Sequence, residues 1–220
     1  DEDLSRGLGD VYKRQHKSVR ERVGIFDVSH MGQIFISGDE ASSFLSYVTT
    51  WDISKLADGD CRYCHILNDD GNIIDDTIVY TFDKKSFMLV PNASMISKVF
   101  NWLLSKSKNF SVKVENKSED YFCIAVQGPE SLRLLRQYLN VSISPFKLIK
   151  LDDLIISGTG YTGEKGYEII GPLSECLTVW QSFLDMGAIP IGLGARDTLR
   201  LEKGYLLSGT DLNGYQTTNE

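Results

Sequence analysis

The sequence predicts an α+β protein with mostly antiparallel sheet. Extended apolar segments follow one another directly along the chain, and single amphipathic helices stand between these groups of strands. With 220 residues, of which 42% are hydrophobic and 24% charged, the chain is long enough to bury one large core or two small ones. The order strand–strand–helix occurs more than once, which points to two similar halves.

The first half of the chain predicts five strands and two helices. The strands are VGIFDV, GQIFISG, RYCHILND, IIDDTIVYTF and SFMLVPN, and the Gly-containing turn DDGN joins the third to the fourth. Asp39 is predicted to cap the helix DEASSFLSYVT, whose apolar face comprises Ala41, Phe44, Leu45 and Val48. Asn92 is in a position to cap a second helix, with Ile96, Val99, Phe100 and Leu103 on one stripe.

The second half continues this pattern with further strands and three helices. The predicted strands are FSVKVEN, DYFCIAVQ, FKLIKL, LIISGTG and GYEIIGP. Pro129 is predicted to occupy the first position of the helix PESLRLLRQYL. Ser174 should open the helix ECLTVWQSFLDM, with Leu177, Trp180 and Leu184 facing inward and Gly187 ending it. A final helix is predicted over GARDTLRLEKG.

Composition and charge argue against several classes of function. The net charge is −7 without a Lys/Arg-rich block, so a nucleic-acid partner has little support. No apolar stretch approaches the roughly 20 residues of a membrane span, so no membrane role is expected. Four cysteines without a secretory signal favour reduced thiols. Residues 1–15 lack an apolar period and are interpreted as a possible non-native tail, and residues 214–220 as a truncated end.

Two adjacent aspartates, Asp75 and Asp76, interrupt the β-branched strand IIDDTIVY. Asp is depleted in strands, and successive strand side chains point to opposite faces. Asp76 would then share a face with Ile74, Ile78 and Tyr80. At least one carboxylate should therefore lie against apolar surface, which is costly without a partner. We expect this pair to mark a functional site.

Two segments match known binding motifs, but for both we expect a structural role and not a binding site. The run GTGYTG, residues 158–163, fits the dinucleotide fingerprint, but a strand follows it where that motif requires a helix. We therefore expect a glycine-rich hairpin. The run CRYCH, residues 61–65, fits a c-type haem attachment pattern. Because it lies in a predicted strand and no second C-x-x-C follows, two semi-buried thiols are expected rather than a haem or zinc site.

Several motifs together resemble one family, the aminomethyltransferases or T proteins of the glycine cleavage system. The segments VRERVGIFDVSHMGQI, IIDDTIVY, IAVQGPE, GYTGEKGYE and IGLGARDTLRLEKG stand in that family's order, from about residue 16 to about residue 213. The resemblance implies a folate-binding fold of two intertwined subdomains. We assign residues 16–50 and 119–213 to the first subdomain and residues 51–118 to the second.

The resemblance also implies an activity, a substrate and a partner. The family transfers the aminomethyl carbon from the lipoyl arm of the H protein to tetrahydrofolate and releases ammonia, with no metal or redox cofactor. This implies a location in the cytoplasm or, in a eukaryote, the mitochondrial matrix. The alternatives are another folate-dependent demethylase and a non-catalytic folate-binding relative. Such non-catalytic relatives carry Lys-Gly-Cys-Tyr, whereas here Lys203 and Gly204 are followed directly by Tyr205.

The resemblance assigns roles to individual residues. Asp76 matches the active-site carboxylate, although the residues alone favour a structural role in which it pairs with a basic group or caps a turn. Glu168 matches the glutamate that binds the pterin, and Arg196 matches a ligand-binding arginine. Further candidates for folate contact are Tyr63, Tyr80, Asn92, Tyr161 and Tyr205. Arg200 and Lys203 are expected on a solvated face, and the chain departs from the family pattern at Gly158, Pro91 and Ser208.

Overall fold

The computed structural model describes residues 2–212 and 214–218, with residues 2–8 and 10 described by their backbone alone. The helices are α1 (Glu2–Glu21), α2 (Ala41–Val48), α3 (Ile96–Ser107), α4 (Ser131–Leu139), α5 (Cys176–Asp185) and α6 (Leu193–Glu202). The strands are β1 (Gly24–Asp27), β2 (Ile34–Ser37), β3 (Cys61–Leu67), β4 (Ile73–Asp83), β5 (Ser86–Pro91), β6 (Lys113–Asn116), β7 (Tyr121–Gln127), β8 (Leu148–Leu151), β9 (Leu154–Ser157), β10 (Gly166–Pro172) and β11 (Ile189–Pro190).

The chain divides into two compact units, each made of separate segments. Unit 1 comprises Asp1–Val28, Phe122–Pro145 and Ile149–Leu206, and unit 2 comprises Ser29–Tyr121, Phe146–Leu148 and Leu207–Glu220. Residues 29–50, which we predicted with the first subdomain, thus lie in unit 2. The reason is the pairing of β2, which runs antiparallel to both β5 and β6.

Unit 1 is built on a sheet with the strand order β11–β1–β7–β10–β9–β8. Strand β1 runs antiparallel to β7 and parallel to the short β11, and β10 runs antiparallel to β9. Its core joins apolar residues of β1, β7 and β10 to one face of α4 and α5. Burial of such a continuous apolar surface is the main term that stabilises a domain of this size.

Unit 2 is built on a sheet with the order β3–β4–β5–β2–β6, whose pairs with a described register are all antiparallel. The apolar faces of α2 and α3 complete its core. The predicted positions Ala41, Phe44, Leu45 and Val48 are all buried there. The predicted α+β class with mostly antiparallel sheet is confirmed.

Several local predictions fail at helix starts. Glu40, not Asp39, precedes α2, because the carboxylate of Asp39 is 2.6 Å from Lys85 Nζ. Helix α4 starts at Ser131, two residues after Pro129. In α5 the fully buried positions are Val179 and Phe183, whereas Trp180 and Leu184 are partly buried against the core, as predicted.

Leu177, which was predicted to face inward, is 80% exposed. The helix stop was predicted correctly, since Gly187 has a φ of +91° and its N–H bonds to Leu184. No helix in the described part of the chain is long and apolar enough to cross a membrane.

The predicted hairpin at residues 158–163 is confirmed, since this segment connects the antiparallel strands β9 and β10. The cysteines of the CRYCH run lie in β3 and are buried, as expected for thiols within a strand. Within the described ranges, no three His, Cys, Asp or Glu side chains come together as a metal-binding group.

Residues 5–15 lie in α1. The interpretation of residues 1–15 as a non-native tail stays a prediction.

Candidate functional site

Strand β4 carries the adjacent aspartates at a β-bulge in unit 2. Asp76 pairs with His65 of β3, whereas Ile74 has no partner there because the register shifts. Ile74 and Val79 both lie in the unit 2 core, although strict alternation would put them on opposite faces. The prediction that Ile74 shares a face with Asp76 is therefore wrong, since the bulge reverses the alternation. Asp75 is fully buried on the core side, and Asp76 is 8% exposed.

The two carboxylates share one donor, the side-chain amide of Asn92. Its Nδ2 lies 2.9 Å from Asp75 Oδ1, 2.7 Å from Asp76 Oδ1 and 3.2 Å from the Asp76 carbonyl. The backbone N–H of Asn92 donates to Asp75 Oδ2 at 2.9 Å. Asn92 makes no side-chain capping bond, so the capping alternative for this residue is wrong. The structure instead brings it into direct contact with the predicted catalytic carboxylate.

Tyr63 holds the second oxygen of Asp76. Its hydroxyl donates to Asp76 Oδ2 at 2.9 Å, and its ring is 43% exposed. The same hydroxyl lies 3.5 Å from His65 Nε2, and the two rings meet edge to face. Burial lowers the pKa of His65, and the charge of Asp76 opposes that shift. Asp76 is therefore a carboxylate with one donor on each oxygen and no described basic partner within 4.0 Å.

Asp75 differs from Asp76 in its surroundings. Burial raises the pKa of Asp75 to about 6, hydrogen bonds from Ser208 and Asn92 lower it, and the charge of Asp76 raises it further. Ser208, one of the departures from the family pattern, is itself buried. Tyr80, a predicted folate contact on the same strand, is fully buried and offers no surface to a ligand.

Glu168 lies on β10 of unit 1, opposite Ser157 of β9. The hydroxyl of Thr159 donates to Glu168 Oε2, and Ser157 Oγ is 2.6 Å from Thr159 Oγ1. Gln127 supports this turn, because its Nε2 donates to the Thr159 carbonyl at 3.1 Å. The carboxylate of Glu168 is thus oriented by a chain of buried polar groups. Our sequence reasoning did not find Thr159, Ser157 or Gln127.

A side chain in the turn beside Gln127 would displace the Gln127 amide. A Cβ on Gly160 would lie 2.0 Å from Gln127 Oε1. At Gly158, one of the departures from the family pattern, a Cβ would lie 2.1 Å from the Ser144 carbonyl oxygen. Since real Cβ atoms do not approach backbone so closely, a side chain at this position would require the segment at Ser144 to move.

Arg196, Tyr161 and Tyr205 lie together in unit 1. The guanidinium of Arg196 is 4.6 Å from the centroid of the Tyr161 ring, and Tyr161 stacks on Tyr205 with centroids 5.8 Å apart. The Tyr161 hydroxyl donates to the Leu206 carbonyl. Burial lowers the pKa of Arg196, and the charge of Glu168 opposes the shift. Three of the predicted residues thus form one cluster, and Glu168 is close enough to influence it.

Arg200 is a residue whose position we predicted wrongly. It is only 5% exposed, and its guanidinium bonds to Asp197 at 2.8 Å and to the Tyr205 carbonyl at 3.0 Å. It therefore fixes the loop that carries Tyr205 and does not belong to a solvated stripe. Lys203, which follows α6, is exposed as expected.

Of the surface cavities, one of 340 Å³ in unit 1 is lined in part by Arg196, Asp27 and Trp180. Another, of 410 Å³ in unit 2, is lined in part by Ile73 and Trp102 and includes none of the predicted site residues. The predicted site residues form two sets, one in each unit. Tyr63 and Asn92 each contact Asp76 in unit 2, whereas Glu168, Arg196, Tyr161 and Tyr205 belong to unit 1.

Comparison with known proteins identifies the family from nearly the whole chain. The model of the GCVT N-terminal domain matches residues 5–220. The chain belongs to this family. It is 44% identical over 210 residues to the aminomethyltransferase of Staphylococcus carnosus, a match that covers 91% of the chain and 58% of the relative. The aminomethyltransferase of Halothermothrix orenii is 42% identical over 210 residues, covering 90% of the chain and 58% of the relative.

Solved structures extend the comparison to the fold. The glycine cleavage system aminomethyltransferase T of Bartonella henselae aligns with a TM-score of 0.89 at 33% identity, covering 94% of this chain and 58% of that one. A heterotetrameric sarcosine oxidase of Corynebacterium shares only the fold, with a TM-score of 0.59 at 13% identity over 87% of this chain and 93% of that one. The chain thus spans about 58% of the length of the aminomethyltransferases it matches.

Proposed function

We propose that this GCVT family chain is the folate-binding part of an aminomethyltransferase of the glycine cleavage system. In this reaction the methylene carbon leaves the sulphur of the lipoyl arm and bonds to N5 and N10 of tetrahydrofolate, while the amine departs as ammonia. The observation that carries the proposal is Asp76, a nearly buried carboxylate held by Tyr63 and Asn92 on a strand of the matched domain.

Asp76 is proposed to stabilise positive charge as the carbon is transferred. Among the described residues, each of its oxygens accepts one hydrogen bond, and a carboxylate oxygen has two lone pairs. Each oxygen therefore keeps one acceptor site for a folate N–H or for a carbon that becomes cationic. A preorganised charge in a site with little water is worth much more than the same charge in solvent.

The remaining residues are proposed to bind folate. The pterin presents an exocyclic NH₂ next to an N3–H, and one carboxylate such as Glu168 can accept from both. Thr159 fixes the orientation in which Glu168 would do so. Arg196 and Tyr161 supply a cation and an aromatic face, which suit a carbonyl or carboxylate group and a flat ring. The exposed parts of Tyr63 and Tyr205 are further contact surfaces.

Two wider elements of the proposal rest on family membership alone. The donor of the aminomethyl group is proposed to be the lipoylated H protein. The site of action is proposed to be the cytoplasm or the mitochondrial matrix, where the glycine cleavage reaction would draw on a folate pool.

Calorimetric titration with 5-formyl-tetrahydrofolate tests the folate site. We expect saturable binding by the wild-type chain. Glu168→Gln should weaken it by about 1–3 kcal/mol, which is roughly a fivefold to 150-fold loss of affinity, because the carboxylate that accepts hydrogen bonds from the pterin becomes an amide. The matched control is Glu175→Gln, an exposed glutamate of the same unit, which should bind like the wild type.

Turnover with lipoylated H protein and tetrahydrofolate tests the catalytic role. Asp76→Asn should lose most of the rate, whereas Asp83→Asn, at the exposed end of the same strand, should not. Binding without turnover would favour a non-catalytic folate-binding relative. Absence of binding by the folded chain, repeated with a full-length relative as positive control, would contradict the folate assignment of these residues.

A further inference from the structure

Asp75 is the most buried carboxylate of the site and has no role in the proposed reaction. It is fully buried, and neither lysine nor arginine lies within 4.0 Å of it among the residues described. Its hydrogen-bond donors are the backbone N–H and side-chain amide of Asn92 together with Ser208. A buried carboxylate without a cation is costly, so its presence needs an explanation.

The contacts of Asn92 show what Asp75 does. The three atoms around Nδ2, namely Asp75 Oδ1, Asp76 Oδ1 and the Asp76 carbonyl oxygen, are all acceptors, which fixes the amide with its NH₂ toward them. Asp75 at the same time accepts the Asn92 backbone N–H through Oδ2. Its carboxylate therefore holds both the backbone and the side chain of Asn92.

We propose that Asp75 is a positioning residue, which fixes Asn92 so that the Asn92 amide holds Asp76 in its reactive orientation. The effect on the reaction rests on the proposed function, but the hydrogen bonds that join Asp75, Asn92 and Asp76 can be tested without substrate. Tyr63 holds the opposite oxygen of Asp76 through a side chain that is 43% exposed. The other support, Asn92, is half-buried and is held through two hydrogen bonds by the fully buried Asp75.

An amide at position 75 cannot replace the carboxylate. An asparagine there would present one oxygen and one NH₂ to two N–H donors of Asn92. Either two donors would then face each other, or the Asn92 amide would flip and set its oxygen against both acceptors of Asp76. Both results remove the hydrogen bond between Asn92 and Asp76 or displace it, although the variant has almost the same volume as the wild type.

NMR of the ligand-free chain, labelled with ¹⁵N in asparagine and ¹³Cγ in aspartate, tests the arrangement directly. Asn92→Ser and Asp76→Asn assign the two signals. We expect Asp75→Asn to move both the Asn92 Nδ2 and the Asp76 Cγ resonances, and Asp83→Asn to move neither. Unchanged Asn92 and Asp76 signals in a folded Asp75→Asn chain would overturn the proposal.

The wild-type chain provides a second test, which stands even where Asp75→Asn fails to fold. The Nδ2 hydrogens of Asn92 should exchange with solvent at least about tenfold more slowly than those of the exposed Asn101, because they are held by buried acceptors. Equal exchange rates would show that Asp75 does not fix this amide, and would equally overturn the proposal.

Steady-state kinetics test whether the hydrogen bonds from Asp75 to Asn92 affect the reaction. In turnover with lipoylated H protein, Asp75→Asn should lower kcat about 10- to 100-fold, the value of one charge-assisted hydrogen bond. Moved resonances with unchanged kcat would overturn the positioning role. If the wild-type chain itself shows no turnover, the proposed function fails for this chain, and the resonances and exchange rates still decide whether Asp75 holds Asn92.

Discussion

The raised pKa of Asp75 predicts how the stability of the chain depends on pH. Burial raises this pKa from 3.8 to about 6. Since the folded state holds the proton more tightly than the unfolded state, the contribution of Asp75 to stability is fully present below about pH 3.8. It is lost as the pH rises through about 6. A difference of roughly two pKa units corresponds to about 3 kcal/mol, most of it lost between pH 4 and pH 7.

Urea denaturation at several pH values from 4 to 8 measures this contribution against Asp75→Asn, which cannot ionise. The exposed carboxylates with lowered pKa values, such as Asp39 and Glu130, are common to both proteins and cancel in the comparison. The free energy of unfolding of the wild type should therefore fall by ~3 kcal/mol relative to the variant as the pH rises. A difference that is independent of pH, or that grows in favour of the wild type, would refute the reasoning.

Three further predictions concern buried groups and can be tested on the same chain. Tyr167 has a buried hydroxyl without a hydrogen-bond partner among the described residues. Tyr167→Phe should therefore raise the free energy of unfolding by about 1–3 kcal/mol, and a lower melting temperature would contradict this prediction. Gly38 has a φ of +138°, and a Cβ there would lie 2.2 Å from a main-chain oxygen, so Gly38→Ala should destabilise the chain by at least ~2 kcal/mol in urea denaturation. In the native chain Ellman's reagent should modify Cys176 first, because the other three thiols are buried and burial raises the pKa of Cys64 to about 12. Rapid reaction of Cys64 would contradict this prediction and would show that β3 opens.

The strands and the core faces of most helices could be predicted because their patterns are local. The apolar positions of α2 and the hairpin of β3 and β4 follow from side-chain periodicity and turn chemistry. The failures lie where tertiary contacts decide. Asp39 is close to Lys85 of a neighbouring turn and does not cap α2, and the inward face of α5 is set by the neighbours of Phe183.

Within the candidate site, the sequence singled out the carboxylates together with Tyr63 and Asn92, which contact Asp76, but not the hydroxyl groups that contact Asp75 and Glu168. Asp76 and Glu168 stand in recognisable motifs, whereas Thr159 and Ser208 become relevant only once the backbone brings them to a carboxylate. Arg200 was misplaced for the same reason, because its position on α6 does not show that it bonds to the carbonyl of Tyr205. Positioning groups are generally harder to predict than reacting groups, since a hydroxyl or amide has many possible partners.

The β-bulge in β4 explains why the strand contains two adjacent aspartates. In a regular strand without the bulge, strict alternation would place the side chains of Ile74 and Val79 on opposite faces of the sheet. With it, both enter the core, Asp75 turns toward the core side, and Asp76 is left on the opposite face beside Tyr63. A single amide can then reach one oxygen of each carboxylate, since neighbouring residues of a strand are only about 3.3 Å apart along its axis. The structure thus gives the two aspartates different surroundings, which agrees with our proposal that Asp76 reacts and that Asp75 orients it, and Asp75→Asn separates these two proposed roles.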